Sequence, residues 1–168
     1  LIAFQDKEPI KVITGIRRSG KSKLLLLMIK HLLDEGKSKE QIIEMHFEKM
    51  DFSLMTYKEV YDYVKSRIIP NKRMYLFFDE IQRIEGWENA INALRVEFDT
   101  DIYVTGSNAY LLSSEYSTYL AGRCVEINML PLSFKEFLYF YDFSIKEVTT
   151  AFGTSKKEIV DKKGTQYS

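Results

Sequence analysis

Four short apolar runs punctuate the chain: Lys11–Thr14 (KVIT), Ile42–Phe47 (IIEMHF), Met74–Asp79 (MYLFFD) and Ile102–Thr105 (IYVT), with a fifth candidate at Cys124–Met129 (CVEINM). They are continuous rather than alternating, as expected of strands in a parallel sheet covered on both faces. Between them the apolar positions fall at helical spacing. Lys21 to Glu35 carries Leu24, Leu25, Met28 and Leu32 and meets Gly36, a C-cap signal. Thr56 and Glu59 form a capping box ahead of Tyr57, Val60, Tyr61, Val64 and Ile68. Trp87, Ile91, Leu94 and Phe98 share one face of a third helix, and Ser133 with Glu136 repeats the capping box before Phe134, Phe137, Leu138 and Tyr141. Strand–helix alternation predicts an α/β fold with a mainly parallel sheet. After about Phe143 the pattern supplies no further element. The division is therefore a core over 1–143 and a tail, or the start of a linker or lid, over 144–168.

Composition narrows this picture. The 168 residues suit one ordinary domain, and 45% hydrophobic with 29% charged residues is globular composition. The 24 basic and 24 acidic residues cancel, which excludes a domain-wide basic field for nucleic acid or anionic membrane and leaves a local patch open. The single cysteine, Cys124, excludes an intrachain disulfide and fits a reducing compartment, so a cytoplasmic location is expected. The longest apolar run, Leu24 to Ile29, is far short of the ~18 residues that a membrane span needs. The chain opens without Met and ends in the polar stretch Asp161 to Ser168, so the expectation is a piece of a longer protein that lacks a C-terminal domain.

The chemistry concentrates just after the first strand. Gly15-Ile16-Arg17-Arg18-Ser19-Gly20-Lys21-Ser22, followed by Lys23, matches G-x-x-x-x-G-K-[ST], the Walker A loop, between a strand and a helix as the motif requires. Gly15 and Gly20 allow a tight turn and close approach to phosphate. Successive N–H groups and the positive end of the following helix then cradle an anion. Lys21 supplies a flexible point charge for the β- and γ-phosphates, and Ser22 a hydroxyl for Mg²⁺.

The third strand ends in Asp79-Glu80, and the C-terminal edge of a parallel sheet is where ligands bind. Asp79 is the candidate to hold Mg²⁺ through water, and Glu80 the candidate to take a proton from an attacking water. An activating base beside the metal carboxylate favours hydrolysis over phosphate transfer. The fourth strand ends in small polar groups, Ser107 and Asn108, suited to a γ-phosphate or its water. His31 and His46 are isolated and make no metal site; Cys124 and Trp87 are read as packing, and the aromatic cluster Phe134 to Phe143 as core, with a partner surface the other reading.

With these motifs assembled, the stretches VITGIRRSGKS, YLFFDEIQRIEGWENAINALR, YVTGSNAYLL and YLAGRCVEINMLPLSFKEFL resemble the bacterial and archaeal AAA+-type ATPases of the ASCE branch, from roughly Lys11 to Tyr139. The resemblance implies a three-layer P-loop NTPase core with a five-stranded sheet of order 5-1-4-3-2. It implies Asn108 between Lys21 and Glu80 as a sensor of the γ-phosphate. It further implies that Arg123 approaches ATP as an arginine finger toward a neighbouring subunit in a homo-oligomer; a structural surface arginine is the other reading. No lid arginine of the kind such proteins carry is legible, and Ser144 to Ser168 resembles neither a winged helix nor a nuclease. The leading function is Mg²⁺-dependent ATP hydrolysis driving a conformational change. The alternative is a nucleotide switch that holds ATP or ADP with little turnover.

Overall fold

The computed structural model describes residues 1–106, 122–149, 155–161 and 166–167. Five parallel strands build the first sheet: β1 (Ile10–Gly15), β2 (Ile42–His46), β3 (Met74–Asp79), β4 (Thr100–Gly106) and β5 (Cys124–Met129), in the order β2-β3-β4-β1-β5. Read from the other edge this is the 5-1-4-3-2 order of a P-loop NTPase core, with β4 inserted between the two strands that carry the loop and the acidic pair.

The apolar runs form strands because both faces are covered. Every residue of β1, β3 and β4 is buried. Along β3, Met74, Leu76 and Phe78 enter one core while Tyr75 and Phe77 enter the other, the period-two alternation of a pleated strand. Helix α1 (Lys21–Asp34) covers the Tyr75 face with Leu25, Met28 and Leu32. A short helix α2 (Met50–Ser53) follows β2. Helices α3 (Tyr57–Lys65) and α4 (Trp87–Glu97) cover the other face with Val60, Val64, Trp87, Ala90, Ile91 and Leu94. Phe98 falls just past α4 as its C-cap and still packs on that core.

Local signals end these helices where the sequence places them. Past α1, Lys37 N–H donates to Leu32 O and Gly36 N–H to Leu33 O, both at 3.0 Å, with Gly36 at φ 86°: a Schellman motif, in which the left-handed residue favours glycine. The capping boxes of Thr56 with Glu59 and of Ser133 with Glu136 both form.

Two expectations are corrected. Strand β5 is an edge strand with partly exposed positions, because only β1 pairs with it; Cys124 at its start is half-buried and packs on the core, where burial raises its thiol pKa. The aromatic cluster after Ser133 is not packed inward. Helix α5 (Phe134–Phe140) buries Leu138, whereas Phe134, Phe137, Tyr139 and Phe140 are exposed.

By contacts the chain divides into two compact units, Leu1–Leu130 and Pro131–Ser168. The second holds α5 and an antiparallel sheet of β6 (Phe143–Thr149), β7 (Ser155–Asp161) and β8 (Gln166–Tyr167), in the order β6-β7-β8. These strands stand where the sequence pattern is silent. Lysines and acids interrupt their alternation, as in the exposed cross-strand pair Lys157–Glu147. No helix among the described residues is long and apolar enough to cross a membrane.

Candidate nucleotide site

At the C-terminal end of β1 the chain turns through the loop and enters α1. Gly15 has φ 156°, and a Cβ there would lie 2.5 Å from the Met129 carbonyl oxygen on β5 and 2.7 Å from Ser19 Oγ. Backbone approaches backbone so closely that only glycine fits. Gly20 is the N-cap of α1 at φ 96°, and Arg18 also has a positive φ, 66°. The loop side chains Ile16, Arg17 and Arg18 are exposed, as are Ser22 and Lys23. Ser19 Oγ is buried without a hydrogen-bond partner among the described residues. The first N–H groups of α1 have no partners within the helix, and free N–H groups at a helix start favour an anion.

Lys21 is the exception to this exposure, with only 4% of its surface accessible. Its ammonium donates to Gly15 O at 3.1 Å and Ile16 O at 3.3 Å, and lies 3.6 Å from Glu80 Oε1. The sheet order brings this about: β4 separates β1 from β3, and the ends of the three strands lie along one edge. Arg17, Arg18, Lys21, Ser22, Glu80 and Gln82 line a cleft of about 560 Å³.

Two side chains contact the carboxylate of Asp79. Thr105 Oγ1 donates to Oδ1 at 2.5 Å, and His46 Nδ1 lies 3.2 Å from Oδ2, while His46 Nε2 is 2.6 Å from Glu44 Oε1. Glu80 leaves the strand at φ 57°, a left-handed conformation that costs a non-glycine residue about 1–3 kcal/mol and persists only when its surroundings impose it. Its N–H donates to Thr105 Oγ1 at 3.0 Å, and its Oε2 accepts from Gln82 Nε2 at 2.6 Å. Ser22 and Asp79 offer hard oxygens, the donor chemistry that suits Mg²⁺. Both Asp79 oxygens already face protein groups, which fits a contact to the metal through water.

The structure thus gathers Gly20, Lys21, Ser22 and Glu80 at one cleft, with Gly15 behind Lys21 through its carbonyl and Asp79 at the same sheet edge. Asn108 lies outside the described residues. Arg123 is placed elsewhere. Its carbonyl accepts from Ile10 N–H at the N-terminal end of β1, a strand of six residues, so it stands about 20 Å from the loop end of the sheet. Sequence reasoning missed Thr105, Gln82 and His46. Gln82 directly follows the acidic pair by two residues, and that proximity was a usable signal. His46 and Thr105 come from other strands, and nothing local marks them.

A family model described as an AAA domain matches residues 7–138. An uncharacterized protein of Haemophilus influenzae is 43% identical over 169 residues, covering 99% of this chain and 40% of that protein. An uncharacterized protein of Methanocaldococcus jannaschii is 37% identical over 139 residues, covering 82% of this chain and 30% of that protein. This chain therefore spans less than half the length of these relatives. Among solved structures, a DNA polymerase III gamma subunit-related protein of Thermotoga maritima aligns with a TM-score of 0.56 at 16% identity, over 81% of this chain and 45% of that one. PCH-2 of Caenorhabditis elegans aligns with a TM-score of 0.52 at 20% identity, over 79% and 37%. Those two likenesses concern the fold alone. The family match, which covers most of the chain and both halves of the cleft, shows that this chain belongs to the AAA domain family.

Proposed function

We propose that the chain binds Mg·ATP in the cleft between the Gly15–Ser22 loop and the end of β3, and hydrolyses it to drive a conformational change. The observation that carries this is the approach of Lys21 Nζ to Glu80 Oε1, 3.6 Å apart across the cleft. A phosphate-binding cation and a candidate base face the same volume. In this reading the loop amides, α1 and Lys21 bind the β- and γ-phosphates. Ser22 and Asp79 hold Mg²⁺, which supplies charge neutralisation on the phosphate oxygens. Glu80 accepts the proton of the attacking water, and Asn108 orients that water or the γ-phosphate.

A second reading, a nucleotide switch with little turnover, is favoured by one feature. Both oxygens of Glu80 are engaged, by Lys21 and by Gln82, and contacts that stabilise the carboxylate make it a weaker base toward water.

Calorimetry and phosphate release on the full-length protein test both. Lys21→Ala should weaken ATP binding sharply with the fold intact. Glu80→Gln should keep ATP bound and lose turnover by roughly a hundredfold or more, the scale of general-base catalysis. Equal ATP affinity for Lys21→Ala and wild type would overturn the site. A tightly binding wild type without turnover would establish the switch.

A further inference from the structure

Asp79 and Glu80 are neighbours in the chain with different tasks, and one side chain touches both. The β3–β4 ladder ends with the pair Phe78 and Val104. The next residue on each strand is Asp79 and Thr105, and there a side chain takes over from the backbone. Thr105 is fully buried. Its hydroxyl accepts the Glu80 N–H at 3.0 Å and donates to Asp79 Oδ1 at 2.5 Å. The direction of each bond is forced. An amide N–H can only donate, and an ionised carboxylate can only accept, so the hydroxyl proton goes to Asp79 and a lone pair to Glu80.

We propose that Thr105 is a positioning residue for this site: one hydroxyl anchors Oδ1 of Asp79, whose Oδ2 faces His46, and the left-handed backbone of Glu80 together, so that the metal-holding and water-activating groups keep one mutual geometry. The inference rests on the roles given above to Asp79 and Glu80. Thr105 acts through them, since the Glu80 carboxylate itself is held by Lys21 and Gln82. The positive φ of Glu80 gives the amide bond its importance. The conformation is unfavourable by itself, and the Thr105 bond satisfies the N–H at the point where the ladder has ended. Partners that orient a metal's direct ligands commonly affect metal affinity or activity by about 10–100-fold, and Thr105, behind Asp79 and its water, stands one shell further out, which points to the lower end of that range.

The test uses the full-length protein with Thr105→Val, which keeps the shape and removes the hydroxyl, and Thr105→Ser, which keeps the hydroxyl. Three readouts are taken: steady-state kcat and KM for ATP, the Mg²⁺ concentration giving half-maximal turnover, and ADP affinity with and without Mg²⁺. Thr105→Val should lower kcat about tenfold or more, raise the Mg²⁺ requirement and shrink the gain in ADP affinity that Mg²⁺ provides, with KM changed less than about twofold. Thr105→Ser should recover kcat and the Mg²⁺ dependence. If Thr105→Val does not fold, Thr105→Ala carries the same comparison. A folded Val or Ala variant with wild-type kcat and Mg²⁺ dependence overturns the proposal, as does equal impairment of Val and Ser, which would assign the effect to packing. The ADP measurement needs no turnover, so a wild type that binds without hydrolysing counts against the hydrolase reading and still decides the role of Thr105 toward Asp79.

Discussion

Gly15 shows how little freedom the phosphate loop has. Its position is set by two approaches at once, to the Met129 carbonyl on the neighbouring strand and to Ser19 within the loop. A methyl group at 2.5 Å from a backbone oxygen cannot be relieved by rotating a side chain, so β1 and β5 must part or the loop must shift. Gly15→Ala is therefore expected to cost about 1–3 kcal/mol in denaturant unfolding and to weaken ATP binding in the same variant. Gly36, at the end of α1, has a positive φ and open space around it. Gly36→Ala should cost about 1 kcal/mol through backbone strain and leave ATP affinity unchanged. Parallel melts and calorimetry on the two variants separate a glycine required by the site from one required by a helix end.

At the scale of elements, a buried polar network ties β1 to β4 at the edge of the sheet opposite the cleft. Lys11 and Asp101 are fully buried and bonded to each other. Lys11 also donates to Lys7 O, while Tyr103 O–H and Asp6 N–H donate to Asp101 Oδ2. Burial pushes the Lys11 ammonium below its ordinary pKa, opposed by the bond to Asp101, and pushes the Tyr103 phenol well up. Removing one partner would strand the other charge, so Asp101→Ala should destabilise by about 3–5 kcal/mol, whereas Lys11→Met with Asp101→Leu should recover only part of it, because Tyr103 O–H and Asp6 N–H still lose their acceptor. Urea unfolding of the single and double variants checks this.

Helix α3 offers a pH test. The N–H and hydroxyl of Thr56 donate to Glu59 and hold its carboxyl below the usual range. A depressed folded pKa contributes stability above the unfolded value and loses it as the pH falls through the folded one. The Tm difference between wild type and Glu59→Gln should therefore narrow on acidification below the ordinary carboxylate range.

At the scale of the whole molecule, Arg123 bears on assembly. Its place at the far end of the sheet keeps it from its own loop, so an arginine finger from this position would have to serve a neighbouring copy. Such an arginine can contribute several orders of magnitude to phosphoryl transfer by neutralising charge on the γ-phosphoryl oxygens. Turnover by the full-length protein should then rise with protein concentration, and mixing Arg123→Ala with Glu80→Gln subunits should restore part of the activity that each lacks. Concentration-independent turnover, unaffected by Arg123→Ala, would assign the residue a structural role.

The sequence by itself determined whatever depends on a few consecutive residues. The loop motif, the apolar runs, both capping boxes and the Gly36 stop are local patterns, and each forms where its residues stand, because sterics and hydrogen bonds act over one or two turns. The sheet order was legible only through resemblance to a family. The β6–β7 hairpin was not legible, since charged residues blur its alternation. Tertiary structure alone decided which strand ends meet. His46, Asp79 and Thr105 lie on three strands, and Lys11 and Asp101 on two, and the parallel register puts their side chains within bonding distance. That register comes from burying both faces of the sheet beneath α1 on one side and α3 with α4 on the other. It is a property of the assembled core, so no short stretch of the chain encodes the clasp of Thr105 on Asp79 and Glu80.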